Sequence, residues 1–461
     1  MAACLGRTTL LGTGYLRDSL GRITQLTDSA REAGGTLQVR RWSYVYDGVG
    51  RLLRDSLGGA LHQAFAYDSN GNRTSLTTAL GTVSSSYDAQ DRLTRSATSG
   101  GVGTLYTYGS NGELQTKTGS ATGAQTRYQY DALGNLLKVV LPTGDSVEYL
   151  MDGQNRRVGR KWNGAVTHRW LYQNQLNPIA ELDSAGALVS RFVYGSRANV
   201  PDYLVRGGAV YRLVTDHLGS VRAVVDTATG AVAQWTTYDA WGNVLADSGA
   251  GFQPFGFAGG LTDGATGLVR FGVRDYDPTI GRWTAKDPVG FRGGETNLYA
   301  YVNNAPTLWA DPTGLQVIVI VVGEGIVGDH SAVWIGGFRG EPVLYDPAGS
   351  YRYGGEQRPT GDLFYGVEAD LQAYVDFHTD GPGGLPVTLY EFPLPPSEQE
   401  SVANAAEEQG GFQPMFCAIA TSGALRASPF FEGLTALTLG GLRRDLPRAP
   451  ITTYFPARPE R

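Results

Sequence analysis

"YDALGNLLKVVL", residues 130–141, contains the rule by which most of this chain folds. A strand ends at Tyr130, Asp131 opens a turn, and Gly134 supplies the positive φ that reverses the chain. "NLLKVVL" then starts the next strand. The same order recurs as "YDGVGRL" from Tyr46, "YDSNGNR" from Tyr67, "YDAQDRL" from Tyr87, "YGSNGEL" from Tyr108 and "MDGQNRR" from Met151. It continues through Tyr172, Tyr194, "TDHLGSVR" from Thr215 and "YDAWGNV" from Tyr238, with neighbouring units 20 to 23 residues apart. A period of this length marks stacked supersecondary units, none of which buries its apolar face alone. Each unit reads as a β-hairpin and the array as an antiparallel ribbon, in which Tyr and Asp pack and turn rather than catalyse.

Composition agrees with many short strands. Of 461 residues, 64 are glycine and 25 tyrosine, and the length suffices for two or three cores. The net charge of −6 conceals an asymmetry. Residues 1–315 carry 29 Lys+Arg against 26 Asp+Glu, whereas 316–461 carry 9 Arg, no Lys and 18 Asp+Glu. An acidic tail without lysine is a poor surface for nucleic acid, so none is expected as a partner there. The two cysteines, Cys4 and Cys417, form neither a disulfide framework nor a zinc motif, and no metal or cofactor is expected. No charged segment precedes the weak apolar N-terminus and no membrane span follows, so delivery without a signal peptide is expected.

Beyond the repeats, "RDYDPTIGRWTAKDPVGFRGGETNLYAYVNNAPTLWADPTGL" (274–315) ends the ribbon's idiom, and "QVIVIVVG" (316–323) begins another. With "TDHLGSVRAVVD" (215–226), these motifs make the chain resemble the RHS/YD-repeat family and its associated core region. The resemblance implies a mainly β protein in three parts: a YD-repeat antiparallel β-ribbon shell (1–250), a core region (251–315) and a smaller α+β effector domain (316–461). It also implies bacterial effectors delivered by type VI or contact-dependent machinery, or C subunits of Tc-type toxins. Secretion or cell-surface delivery, a delivery apparatus, a cognate immunity protein and contact with a cell envelope belong to that expectation.

In such a family the core resembles an aspartyl protease that cuts its own chain after "DPxGL". The matching residues are Arg274, Asp275 and Asp287, and the expected scissile bond is Leu315–Gln316. Paired carboxylates divide the work of acid and base, and a guanidinium can hold one of them in place. Asp277 and Asp311, each followed by Pro, read as turn starters.

The tail begins with an apolar strand, followed by "DHSAVWIGG" and "EPVLYDPAG" as two more around a turn at 337–341. That hairpin sets His330 opposite Asp346. Helices are expected over 368–377, 396–411 and 416–427, the last with Cys417 in its first turn, where the helix dipole favours thiolate. Cys417 as nucleophile, His330 oriented by Asp346, and Gln413 as oxyanion donor resemble a permuted papain-like enzyme of the NlpC/P60 type acting on a protein or peptide. His378 is the rival histidine. Two alternatives compete: an ADP-ribosyltransferase using Glu398 and Glu400, and a non-enzymatic surface or carbohydrate-binding scaffold.

Overall fold

The computed structural model describes residues 2–5, 8–31, 37–174, 176–197, 199–287 and 297–311. From the C-terminal part it describes 317–322, 330–338, 341–347, 362–365, 369, 371–379, 385, 387–392, 396–409, 417–428, 431, 442 and 451–455. The chain forms two compact units. The first comprises 1–288 with 297–312, and the second comprises 289–296 with 313–461.

In the first unit, 23 strands from Ala2–Leu5 to Val244–Asp247 form one antiparallel sheet. Strands adjacent in sequence are paired, as in Gln125–Tyr130 with Leu136–Val140. The turn rule holds atom by atom. Asp131 Oδ1 accepts from the backbone N–H of Leu133 and Asn135, and its Oδ2 accepts from Asn135 Nδ2. At Asp47 the same position is taken by Arg51, whose Nε donates to Oδ2 at 2.6 Å.

The tyrosine does more than end a strand. A register shift falls immediately before Tyr46, Tyr67, Tyr87, Tyr108, Tyr130 and Tyr172, so each sits at a bulge that increases local twist. In several units the hydroxyl reaches back to the preceding turn: Tyr67 donates to Leu52 O, Tyr87 to Arg73 O and Tyr172 to Arg157 O, at 2.6 to 3.0 Å. The turn arginine completes the link. Arg51 Nη1 donates to Asp68 O, and its guanidinium lies 4.9 Å from the Tyr67 ring centre. Successive turns are thus tied into a spine.

Residues 251–287 and 297–311, the terminator of the ribbon, pack against it. Four short strands, Leu261–Thr262, Val269–Phe271, Arg274–Asp277 and Arg282–Trp283, form a second sheet. Phe257, Phe271, Tyr276, Trp283 and Tyr301 form a buried aromatic cluster over it. This segment bonds to the ribbon along most of its length. Tyr46 meets Thr307, Asn304 donates to Gly71 O, Arg282 to Asn72, Tyr299 to Gly112 O and Arg160 to Asp263. Lys117 pairs with buried Asp277; burial opposes charge there, but the ammonium outweighs it and holds the carboxyl below its usual value. A cavity of 640 Å³ remains in this unit, lined by Trp170, Glu181, Gln234, Tyr238 and Phe255 among others.

One turn shows how tightly ribbon and terminator fit. Gly242 has φ +89°, and a Cβ there would lie 2.4 Å from the Phe257 ring. Gly134 fills the same place in its own turn with φ +83° but faces open space. Gly242→Ala is therefore expected to cost about 3 kcal/mol and Gly134→Ala about 1 kcal/mol. Urea midpoints of the two variants check the difference.

In the second unit, six antiparallel strands lie in the order 362–365, 341–346, 330–338, 317–322, 387–392 and 451–455. The apolar strand Val317–Val322 is central, paired with His330–Phe338 on one side and Val387–Phe392 on the other. Three helices accompany the sheet: α1 (Leu371–Thr379), α2 (Pro396–Gln409) and α3 (Cys417–Leu425). Tyr374 and Val375 of α1 share a core with Ile320, Ala332 and Trp334. No helix among the described residues is long and apolar enough to cross a membrane.

Candidate functional site

The terminator strand Arg274–Asp277 carries two of the expected site residues, and strand alternation sends them to opposite faces. Asp275 lies directly across from Arg270 and pairs with Arg270 Nη1 at 2.9 Å and Arg157 Nη2 at 2.8 Å. All three are buried. Arg157 is stacked 3.5 Å from the Tyr149 ring centre, and Arg270 also donates to Asn135 Oδ1. Asp275 is thereby locked to two turns of the ribbon.

Arg274 points the other way. Its Nη1 lies 2.8 Å from Asp287 Oδ2, and its Nη2 donates to Asp311 Oδ2 at 3.0 Å. The guanidinium rests 4.0 Å from the Trp283 ring centre. The pairing expected from sequence, Asp275 beside Asp287, is not the one the fold makes. The carboxylates that share a guanidinium are Asp287 and Asp311, because neighbouring residues of one strand cannot face the same side. Asp311 was read as a turn starter. The signal that could have singled it out is its place in the closing family motif, four residues before Leu315. The Leu315–Gln316 bond lies outside the described residues.

In the second unit, His330 Nε2 lies 2.5 Å from Asp346 Oδ1. The hairpin pairs Trp334 with Leu344 and Val333 with Tyr345, so the residue directly opposite Asp346 is Ala332, two short of His330. A shift of two keeps both side chains on one face, and they meet diagonally. His330 also stacks on His378 of α1, with ring centres 5.6 Å apart, and His378 lies 4.6 Å from the Tyr374 ring. His378 was expected in a loop; it occupies the last turn of α1.

Cys417 is the first residue of α3, as expected. That helix packs on the other side of the sheet from His330. Thr421 is hydrogen-bonded to Ser331 at 3.0 Å, and Ser331 faces opposite to His330. The fold does not bring α3 and His330 to one face. Gln413 lies outside the described residues. Glu398 and Glu400 fall within α2. No group of three or more metal-binding side chains occurs among the described residues.

Burial holds His378 down to about 3, with the nearby His330 adding to the effect and Asp346 opposing it. The folded chain therefore keeps this ring neutral, while the unfolded chain binds a proton below about 6.5. Stability of the second unit is expected to fall as pH drops from 6.5 toward 3. His378→Gln should flatten that dependence in urea titrations at pH 7 and pH 5.

Comparison with known proteins bears on the first unit. Human Teneurin-4 is 28% identical over 300 residues, covering 63% of this chain and 10% of the teneurin. The double-stranded DNA deaminase toxin A of Burkholderia cenocepacia is 30% identical over 242 residues, covering 41% of this chain and 17% of the toxin. Toxin protein Tse5 of Pseudomonas aeruginosa is 30% identical over 222 residues, covering 44% of this chain and 16% of that protein. Among solved structures, TcdB2-TccC3 superposes with a TM-score of 0.44 at 20% identity, over 67% of this chain and 19% of that one. The chain thus spans less than a fifth of each of these proteins. The Teneurin YD-shell model matches residues 2–307, which is the ribbon together with almost all of its terminator. On that match, the chain belongs to the Teneurin YD-shell family.

Proposed function

We propose that the ribbon and terminator package a C-terminal effector and sever it from themselves between Leu315 and Gln316. The observation that carries this reading is Arg274, which holds Asp287 and Asp311 on one guanidinium just upstream of the change in idiom. Asp287 is assigned the base. It takes a proton from water as the water oxygen attacks the Leu315 carbonyl carbon. It then gives that proton to the Gln316 nitrogen as the C–N bond breaks. Asp275 locks the strand that presents Arg274. Two matched relatives are named as toxins, a double-stranded DNA deaminase toxin and Tse5, and a third as a tRNA-specific nuclease, which supports an effector as the cargo. Delivery machinery and an immunity protein are the partners such a cargo requires. Intact-mass measurement of purified protein should find two chains meeting at 315/316; a single chain of 461 residues overturns the reading.

For the effector, we propose chemistry centred on His330 and Asp346, whose 2.5 Å contact sets a buried carboxylate beside the imidazole. Motif order alone suggests thiol hydrolysis of a protein or peptide with Cys417 and Gln413, whereas α3 packing on the face opposite His330 favours a nucleophile other than Cys417. Expression in a naive bacterium tests it. Growth arrest lost in both His330→Ala and Cys417→Ala favours the thiol, and loss in His330→Ala alone favours another nucleophile. No arrest by the parent chain favours the scaffold reading.

A further inference from the structure

We infer that a small monovalent anion of halide size binds between Arg157 of the ribbon and Arg270 of the terminator, and joins the two by charge. Among the described residues these guanidiniums share one carboxylate, Asp275, at 2.8 and 2.9 Å. All three side chains are buried. The other contacts are to neutral groups. Arg270 donates to Asn135 Oδ1 and to the Asn155 carbonyl, and Arg157 lies over the Tyr149 ring. Two nearby carboxylates are committed elsewhere: Asp263 to Arg160 and Asp152 to Arg156, each at 2.7 Å. Two buried cations are therefore left with one anion, and an arginine does not shed its proton. The shortfall falls on Arg270. Burial opposes the charge of both groups. At Arg157 the Asp275 carboxylate outweighs it and holds the guanidinium above its ordinary value. At Arg270 it does not, and the neighbouring Arg157 adds to the effect of burial.

The same two side chains line a cavity of about 30 Å³. Arg156, Tyr172 and Asn199 also line it, and no acidic side chain does among the described residues. The Nε–H of Arg157 and that of Arg270 are buried, with no hydrogen-bond partner among the described residues. Water in the cavity would satisfy such donors but leave the excess charge in place. One bound anion answers both costs. The space admits a single body somewhat larger than a water molecule, which suits a halide and is too small for a phosphate ester. Arg156 and Leu176 are only half-buried and offer a way in from solvent. Arg157 opens the ribbon strand Arg157–Trp162, and Arg270 sits in the terminator strand Val269–Phe271, so the anion pins one to the other.

Chloride is the probe. Its NMR linewidth and the urea midpoint of the purified protein are measured in sodium chloride and in sodium gluconate at equal ionic strength, gluconate being too large for the cavity. The parent should broaden the chloride signal, and its midpoint should rise with chloride and level off. A hundredfold excess over the half-saturating concentration raises the folding constant about 100-fold. Arg157→Gln leaves Arg270 and Asp275 balanced and should lose both effects, whereas Arg51→Gln, at a turn outside the cavity lining, should keep them. Asp275→Asn preserves size and adds to the positive excess, so half-saturation should fall about tenfold. A parent that behaves alike in chloride and gluconate overturns the site, as does an Arg157→Gln protein that keeps the chloride effect. Where Arg157→Gln does not fold, Asp275→Asn decides: half-saturation unchanged or raised overturns the site.

Discussion

Asp287→Asn protein is expected to purify as one chain under conditions in which the parent is cut. Asparagine occupies the same volume and can still receive the Arg274 contact, so the terminator should fold unchanged. What is lost is the ability to take a proton from water. Removing a positioned base slows such a reaction on the order of 10³-fold. Asp311 remains on Arg274, so the guanidinium is not left without an anion. Melting temperature should therefore stay close to that of the parent while the intact mass shifts to full length. If Asp287→Asn protein is cut at the parental rate, the base lies elsewhere.

Asp275→Ala is expected to behave differently. It removes the one carboxylate between Arg157 and Arg270, both buried, and leaves two guanidiniums facing each other without it. Uncompensated buried charge of this kind costs about 3–5 kcal/mol. Denaturant unfolding of the first unit should show a midpoint lowered accordingly, and the loss should persist in an Asp287→Asn background that already cannot cut. The two variants thus separate chemistry from architecture. A loss of cutting in Asp275→Ala would reflect the loosened strand, whereas the same loss in Asp287→Asn would not. An Asp275→Ala protein as stable as the parent would return Asp275 to the role of second catalytic carboxylate.

The ribbon was legible because its turns demand a short, fixed set of residues at fixed offsets, and each demand is local. Asp131 and Gly134 needed nothing beyond five residues of context. Tyrosine's attachment to the preceding turn was not legible, since its partner is a backbone carbonyl and leaves no trace in sequence. The terminator shows the same limit at longer range. Arg157 lies 118 residues from Asp275, and nothing in either motif names the other. The strand "RDYD" did contain the warning that Arg274 and Asp275 must diverge, because alternation follows from any strand assignment. In the tail, the hairpin gave the correct face for His330 and Asp346 despite a register two residues off. The side of the sheet taken by α3 depends on loop paths that pattern does not encode.

The tyrosine links of the ribbon have one more consequence. Their spans vary, from 14 residues for Tyr87 to 23 for Tyr46, yet each ends on the same place in the turn before it. The hairpin between two linked turns behaves like a tooth on a comb, free to grow or shrink while the bar stays straight. Evolution or an engineer could graft a loop, or a whole domain, at a tooth tip such as Asn163–Gly164 and leave its neighbours in place. A single residue added within a Tyr-Asp turn would break the bar itself.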